Sequence, residues 1–247
     1  MFALNLYEIA LIIALYVHLV TMTSSIYVHR AVWHGSVNYH STVEKTFRIL
    51  LWLTVGTPNN FKTISHINHH QYTDKPGDPH SPHVFSFYNL GILRPIVAIV
   101  ALIFFILPPP VTGGTKELLK KYKVVNRDDY TVAWPRVGRL IFLIANIILF
   151  GTSGVIIYVI TQISLVFAQF IMLDIGGHVV GYRNTNTKDH STNVMPIAIF
   201  GEELHNNHHA DPSNPKFSVK WFEIDIGWAY IKLLCKMGLA EVKPKYL

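Results

Sequence analysis

Three clusters of histidine, set in an otherwise apolar sequence, limit what this chain can fold into more than any other feature. The clusters are His29-x4-His34, His66-x2-His69-His70 and His205-x2-His208-His209. They hold eight of the fourteen histidines, and a ninth, His178, follows a long apolar run. Imidazole rings concentrated beside apolar segments are costly unless their nitrogens bind something. The pattern therefore predicts a fold that gathers histidines from distant parts of the chain.

The spacing of the clusters points to metal. In the second and third clusters the histidines lie at i, i+3 and i+4, so on a helix each cluster occupies one face, grips one metal and reaches toward a neighbouring one. His29 and His34 diverge by about 140° on a straight α-helix, so they serve different metals or lie across a helix end. One transition metal takes about four to six ligands, so nine imidazoles suit two ions. We predict a dinuclear centre with these ligands: His29, His34, His66, His69, His70, His178, His205, His208 and His209.

The remaining polar residues near the clusters are less specific. Imidazole suits zinc, copper, iron or nickel, and the single cysteine, Cys235, argues against a structural zinc or iron–sulfur site. Nearby carboxylates either orient the histidine rings or are ordinary solvated or capping acids, and the sequence leaves both open for Asp74, Asp78, Glu202, Glu203 and Asp211. We expect no metal binding from the histidines that lack paired spacing, which are His40, His80, His83 and His190.

Composition places the chain in a membrane. Half of the residues are hydrophobic and 15% are charged, against about 25% in ordinary globular proteins. The net charge of +6 would suggest nucleic acid in a soluble protein. Here the basic residues flank apolar segments, which indicates the positive-inside rule, and we expect no nucleic-acid partner. One cysteine excludes an intramolecular disulfide.

We predict an all-α integral membrane protein in which a transmembrane helical stem carries a cytoplasmic helical cap with the histidine-rich metal site. Three spans are expected at about 4–28, 137–152 and 155–175, the first as a retained span and not a signal peptide. The last two form a hairpin that returns His178 to its starting side. Residues 90–107 therefore cannot cross once; we expect them, like 46–56, to be interfacial or re-entrant. The N-terminus lies outside, and the cytoplasmic cap comprises 29–136 and 176–247, with an amphipathic tail folding over it.

Four sequence strings resemble one family. They are HRAVWH at 29–34, HINHHQYTDKPGDPHSP at 66–82, GHVVGYRN at 177–184 and GEELHNNHHADP at 201–212. They are similar to the integral-membrane fatty acyl desaturases of the delta-9, stearoyl-CoA desaturase type, and the likeness runs from about Tyr7 to Leu239. It implies a mushroom-shaped fold in which the same nine histidines hold two iron ions.

The resemblance also implies a reaction and its partners. The enzyme would use O2 and two electrons to introduce a cis double bond into a saturated acyl chain, and the resemblance favours the delta-9 position. Its partners would be the fatty acyl substrate as acyl-CoA or acyl-lipid, membrane lipid, and a separate electron donor, ferredoxin or cytochrome b5. The membrane would be a bacterial inner membrane or the endoplasmic reticulum, with the site on the cytoplasmic face.

The chain departs from that family at three places. The family usually has four spans, and the first is expected to be missing here. The position four residues before His178, an asparagine in many members, is Asp174, a candidate for direct binding of iron. Acyl-CoA members carry an Arg-Asp pair before the second cluster and an arginine inside it, where this chain has Ile64-Ser65 and Ile67. The acyl carrier is therefore open.

Two other functions fit part of the pattern. A related histidine-cluster di-iron lipid or alkane hydroxylase would use a similar centre to insert oxygen. A histidine-rich membrane metal carrier would use the same side chains for transit, but its histidines should lie along a path through the spans and not at one membrane face.

Overall fold

The computed structural model describes residues 4–56, 60–84, 96 and 134–246. This part of the chain is mostly helical. The longer helices, numbered along the chain, are α1 (Leu6–Thr23), α2 (Ser41–Thr54), α3 (Asn60–Tyr72), α4 (Pro135–Phe150), α5 (Thr152–Val166), α6 (His205–Ala210) and α7 (Ile226–Lys236). The short strands are β1 (Val37–Tyr39), β2 (Ile197–Ala198), β3 (Ile224–Asp225) and β4 (Ala240–Val242).

Two of the helices continue well beyond their α-helical parts. Helix α1 runs without a break into the π-helical stretch Ser24–Trp33, and α5 runs through the π-helical stretch Phe167–Gly176 to Val179. Each continuous helix, Leu6–Trp33 and Thr152–Val179, has 28 residues and is long and apolar enough to cross a membrane by length and composition. They cover the first and third predicted spans, and both extend further toward the histidines than the sequence indicated.

Helices α4 and α5 form the predicted hairpin. Gly151 makes the turn with φ 60°, a conformation that favours glycine, and α5 begins at the next residue. A Cβ on Gly154 would meet the backbone carbonyl of Asn146, so only glycine lets the two helices approach this closely. Helix α4 has 16 residues, fewer than the about 20 that a span needs, and the predicted second span at 137–152 stays a prediction.

The segment predicted at 46–56 belongs to a longer helix. Helix α2 starts at Ser41, where the His40 ring accepts a hydrogen bond from the backbone N–H of Thr42, and its 14 residues are too few to cross a bilayer. Its buried side includes Arg48 and Leu51. The other predicted interfacial segment, 90–107, lies outside the described residues except for Ile96.

Two small sheets were not predicted. Strands β1 and β4 pair antiparallel, and β2 and β3 pair parallel. The first sheet ties the C-terminal segment to the end of the first long helix, where α7 packs on it through a cluster that includes Ile26, Trp228 and Ile231. The C-terminal tail thus packs against the same end of the molecule as the first histidine cluster.

Candidate metal centre

All nine histidines singled out in the sequence meet in two adjacent groups. In each group the nearest ring nitrogens lie within 4.8 Å of one another, and most of the rings are buried. The first group contains His29, His34, His66, His70 and His208, and the second contains His69, His178, His205 and His209. That they bind metal stays a prediction, but the fold brings together residues up to 180 positions apart at one place.

The local helix geometry explains how each cluster is divided. Helix α3 sends His66 and His70, one turn apart, into the first group and His69 into the second. Helix α6 likewise sends His208 to the first group and His205 and His209 to the second. Both clusters therefore serve the two groups at once, as their spacing predicts.

The first cluster depends on the π-helical stretch. The backbone N–H of His34 donates to the carbonyl of His29, five residues earlier, at 3.1 Å, and the two rings lie 4.8 Å apart. A helix with i to i+5 hydrogen bonds places residues five apart on one face, which an α-helix does not. His29 and His34 therefore share one group at the helix end, and the alternative that they serve different metals is wrong for this structure.

The distances between the rings fit a metal ion. The Nε2 atoms face one another at 3.0 Å for His29 and His208, 2.8 Å for His34 and His66, and 3.0 Å for His66 and His70. In the second group His178 and His205 face at 3.1 Å. With metal–nitrogen bonds of about 2.1 Å, ligands at right angles lie about 3.0 Å apart. The nitrogens are therefore spaced as neighbouring ligands of one ion.

Carboxylates hold the far side of several rings. The Nδ1 atom of His69 lies 2.9 Å from Asp78, that of His178 3.0 Å from Asp74, and that of His209 3.2 Å from Asp189. The Nδ1 of His29 contacts Glu202. Such partners fix the ring orientation and the tautomer and make the other nitrogen a better ligand. Asp74, Asp78 and Glu202 thus have the orienting role that the sequence left open.

One pair of rings fits a bound cation better than a direct hydrogen bond between two neutral rings. His69 and His209 each direct Nδ1 at a carboxylate, which requires Nδ1 to carry the proton. Their Nε2 atoms, 3.3 Å apart, then both present lone pairs to each other. Two buried lone pairs cannot hydrogen-bond without a donor between them, so the pair calls for a cation, and the donor set fits a metal.

The electrostatics of the site favour neutral rings beside ionised carboxylates. Burial lowers the pKa of His34 to about 3, and burial likewise lowers the pKa of His209 to about 4 although Asp189 opposes it. Burial works to raise the pKa of Asp78, but hydrogen bonding from His69 and backbone N–H groups brings it below its usual range. For Asp189 burial is again outweighed, by His209 and its hydroxyl neighbours. Neutral imidazole is the form that binds metal.

Glu202 differs from the other carboxylates. Burial raises its pKa to about 8, and only partly do the Arg30 charge and the Ser25 hydroxyl oppose this. The proton state of this carboxyl is therefore sensitive to what else occupies the site. Its neighbour Glu203 accepts hydrogen bonds from the backbone N–H groups of Phe200 and Glu202.

Asp189 was missed by the sequence analysis. It lies in a polar loop, twenty residues from His209 and in no recognisable pattern with it. The loop is fixed by Asn206, inside the third cluster, whose side chain accepts from the backbone N–H groups of Asn184 and Thr185 and donates to the Thr187 and Ser191 hydroxyls. The asparagine between the histidines was the available signal, because a buried amide in a ligand helix must hydrogen-bond to some other segment.

A buried ion pair supports the first group from behind. Arg30 is fully buried, donates to Asp225 at 3.0 Å and to the carbonyl of Gly201 at 3.2 Å, and lies 3.9 Å over the Phe217 ring. Phe217 in turn contacts the His208 ring, with centroids 4.8 Å apart. Arg30, through its contacts with Asp225 and Phe217, therefore connects the C-terminal segment to the histidines of the first group.

The four histidines for which no metal binding was expected, and the acid Asp211, lie outside both groups of nitrogens. His40 caps α2, and Asp211 accepts a hydrogen bond from the Ser213 hydroxyl. Three others border the site: His80 lies 3.6 Å from Asp174, the His83 ring donates to the backbone carbonyl of His178, and the His190 N–H donates to Asp74. Asp174 itself is buried but belongs to neither group of nitrogens.

Comparison with known proteins agrees with this site. The family model described as fatty acid desaturase matches residues 7–245. The chain belongs to the fatty acid desaturase family. Members of this family are membrane-bound oxidoreductases of lipid metabolism that normally bind two irons, which is consistent with the convergence of so many histidines here.

Several curated relatives of this desaturase family member are similar at about the same level. Delta-9 desaturase-like 4 protein of Arabidopsis thaliana is 29% identical in an alignment of 228 residues that covers 79% of this chain and 66% of the relative. The sn-1 stearoyl-lipid 9-desaturase of Synechocystis sp. is 27% identical over 71% of this chain and 52% of its own length. Hex-5-enoyl acyl-carrier-protein acetylenase of Moorena producens is 30% identical over 70% of this chain and 57% of its own. The matches thus span between half and two thirds of these relatives.

Proposed function

We propose that this chain is a fatty acyl desaturase that introduces a cis double bond, at the delta-9 position, into a saturated acyl chain in an O2-dependent reaction. Nine histidines would hold its two iron ions: five for one ion and four for the other. The observation that carries this proposal is the arrangement of the nine Nε2 atoms in two buried groups at ligand spacing, with carboxylates behind the rings, in a chain of the desaturase family.

The chain's own residues would keep the imidazole rings of this centre neutral and fixed in orientation, and would exclude water from it. A bound di-iron centre supplies the oxidation by O2 that removes two hydrogens from unactivated methylenes, using two electrons from outside. The Trp33 ring stacks on His66 with centroids 4.2 Å apart, and Phe217 covers His208. These apolar rings exclude water from the ligand shell, and the carboxylates hold the protons of Nδ1.

We propose that the acyl chain is presented on a lipid and not on coenzyme A. The positions that carry charge in acyl-CoA members are occupied here by Ile64, which is 5% exposed, and Ser65, whose hydroxyl contacts the His80 ring at 3.1 Å. Neither offers a cation to phosphate groups. Several relatives are named as acyl-lipid or stearoyl-lipid desaturases, and the name of another specifies an acyl-carrier protein. Electrons would come from a separate acidic protein, ferredoxin or cytochrome b5, drawn to a chain with net charge +6.

The membrane placement that fits this function has the N-terminus outside and every histidine cluster in a cytoplasmic cap, with 4–28, 137–152 and 155–175 as spans. Both long helices end in the ligand groups, at His29 and His178, so the centre would lie at one membrane face. Single cysteines at Asn5 and Asn186, placed in a Cys235→Ser background, should label from opposite sides. Labelling from one side only would contradict an odd number of spans.

The test of the reaction is expression in a host that lacks its own desaturase, followed by analysis of fatty acids in the CoA and membrane-lipid pools. We expect a monounsaturated product, with the new double bond appearing first in the lipid pool. His205→Ala should abolish it, while the matched variant His40→Ala, outside the two groups, should keep it. A hydroxylated product would overturn the desaturase proposal in favour of the hydroxylase.

Metal analysis tests the remaining alternative. The purified protein should hold about two irons that resist dialysis, because each ion would have at least four histidine ligands, three of them buried. A metal carrier would instead release zinc or copper reversibly.

A further inference from the structure

Helix α7 leaves one of its faces uncovered. Its inner face packs against the first long helix through Trp228 and Ile231, which are buried. On the outer face Tyr230, Leu233 and Met237 are 39%, 54% and 60% exposed. Spaced three and four residues apart, these three form one apolar stripe along the helix.

The stripe is bordered by basic residues. Lys232 and Lys236 are exposed and lie about 100° around the helix from the stripe, between the stripe and the packed face. The helix therefore has three sides: one packed on the protein, one apolar and exposed, and one basic. An amphipathic helix at a membrane surface has this pattern, with its apolar side in the acyl-chain boundary and its lysines toward the phosphates.

A direct contact places the stripe beside a candidate span. The hydroxyl of Tyr230 lies 3.0 Å from Nε2 of His18 in α1, and the ring centroids are 5.9 Å apart. His18 precedes Ile26, on which α7 packs, by eight residues or about 12 Å along the helix axis. Tyr230 therefore reaches from the cap down along the side of the span.

The surroundings of His18 are those of a lipid-facing surface. Leu15 and Leu19, on either side of it in α1, are 58% and 49% exposed. In the proposed membrane placement about 20 residues from Leu6 cross the hydrocarbon, which puts His18 within it. A polar ring at that depth needs a hydrogen-bond partner, and a tyrosine at the edge of the membrane supplies one.

We propose that the outer face of α7 is a lipid-binding surface: α7 lies in the cytoplasmic interface of the bilayer, with Tyr230, Leu233 and Met237 among the acyl chains and Lys232 and Lys236 at the phosphates. This inference rests on the membrane placement proposed above. It also links lipid to the metal centre, because the residue that caps α7, Asp225, is the partner of Arg30, next to His29.

The test uses the full chain in vesicles of phosphatidylcholine with added phosphatidylglycerol. Single cysteines replace Leu233 or Met237 in the Cys235→Ser background and carry an environment-sensitive fluorophore. Lipids that carry a nitroxide near the headgroup or near the middle of the acyl chain report contact with the bilayer at the two depths, and aqueous iodide reports contact with water. Leu15→Cys, matched to Leu233 in exposure, is the control for membrane, and Asn186→Cys, in the polar loop, is the control for water.

We expect nitroxide lipids to quench both α7 probes strongly, with iodide quenching roughly fivefold weaker than at position 186, as for a side chain buried about 5–10 Å in the interface. Quenching at 15 but not at 233 and 237, with full access to iodide, would show the α7 face to be aqueous and refute the inference alone. Resistance of both α7 probes to both quenchers would mean that protein covers the face, and would also refute it. Failure of the probe at 15 to meet lipid would refute the membrane placement itself.

Discussion

The clearest single test of the site is Asp189→Asn, which keeps the shape of the side chain and removes its charge. Asp189 is held by the hydroxyl of Thr187 at 2.7 Å and the backbone N–H of Ser191 at 3.0 Å, so the amide oxygen can keep these bonds. What is lost is the charged acceptor 3.2 Å from Nδ1 of His209. A hydrogen bond to a charged group contributes about 1.5–3 kcal/mol, which agrees with the about 10–100-fold loss of metal affinity typical of such partners.

The loss should be confined to the second group at first. Competition with a graded iron chelator, followed by elemental analysis, should show one iron leaving the variant at a chelator concentration about 10–100-fold below that needed by the wild type. Desaturation should fall with it. Asp211→Asn is the matched control, since Asp211 is two residues from His209 and its carboxylate accepts a hydrogen bond from the Ser213 hydroxyl, not from a histidine of the centre. Unchanged iron release in Asp189→Asn, or equal loss in both variants, would refute the orienting role.

Other substitutions test other parts of the structure. His69→Ala should lower the iron content and abolish desaturation while leaving the amount of protein in the membrane unchanged; retained activity would contradict the two-ion arrangement. Arg30→Gln should lower the free energy of unfolding by about 3–5 kcal/mol, because it leaves Asp225 buried without its charge partner, and chemical denaturation in detergent measures this. Gly154→Leu should lower the melting temperature by forcing α4 and α5 apart, whereas an unchanged melting temperature would show that the hairpin is less closely packed. Removal of iron by chelation should lower the melting temperature of the wild type, since the ligands join segments distant in sequence.

The nine histidines that the structure brings together could be named from the sequence because spacing and helix geometry are local properties; metal binding by them stays a prediction. The division of the α3 and α6 histidines between two groups follows from the i, i+3, i+4 pattern alone. For His29 and His34 the spacing left two alternatives, one of which was a close approach at a helix end. What spacing could not give was which of the two alternatives holds, since that depends on π-helical hydrogen bonds which the residue types do not specify.

Long-range partners were the part that sequence could not supply. Asp189 and Asp225 act on residues 20 and 195 positions away, and nothing in their neighbourhood distinguishes them from solvated acids. The short strands β1 and β4 were missed for the same reason, because each has only three residues and their pairing is decided by the tertiary fold. The apolar run that forms most of the helix Thr152–Val179, by contrast, could be recognised from the sequence, because hydropathy is a local property.

The π-helical stretch Ser24–Trp33 makes the first long helix intolerant of changes in length. Apolar residues on the exposed side of the long helix can be exchanged for other apolar residues, because a surface that faces lipid requires only an apolar side chain. Deleting one residue before His29 would instead rotate everything beyond it by about 100° relative to the part that packs on α5. Natural variation in this segment should therefore consist of substitutions and not of insertions or deletions, which belong in the polar loops that join the helices.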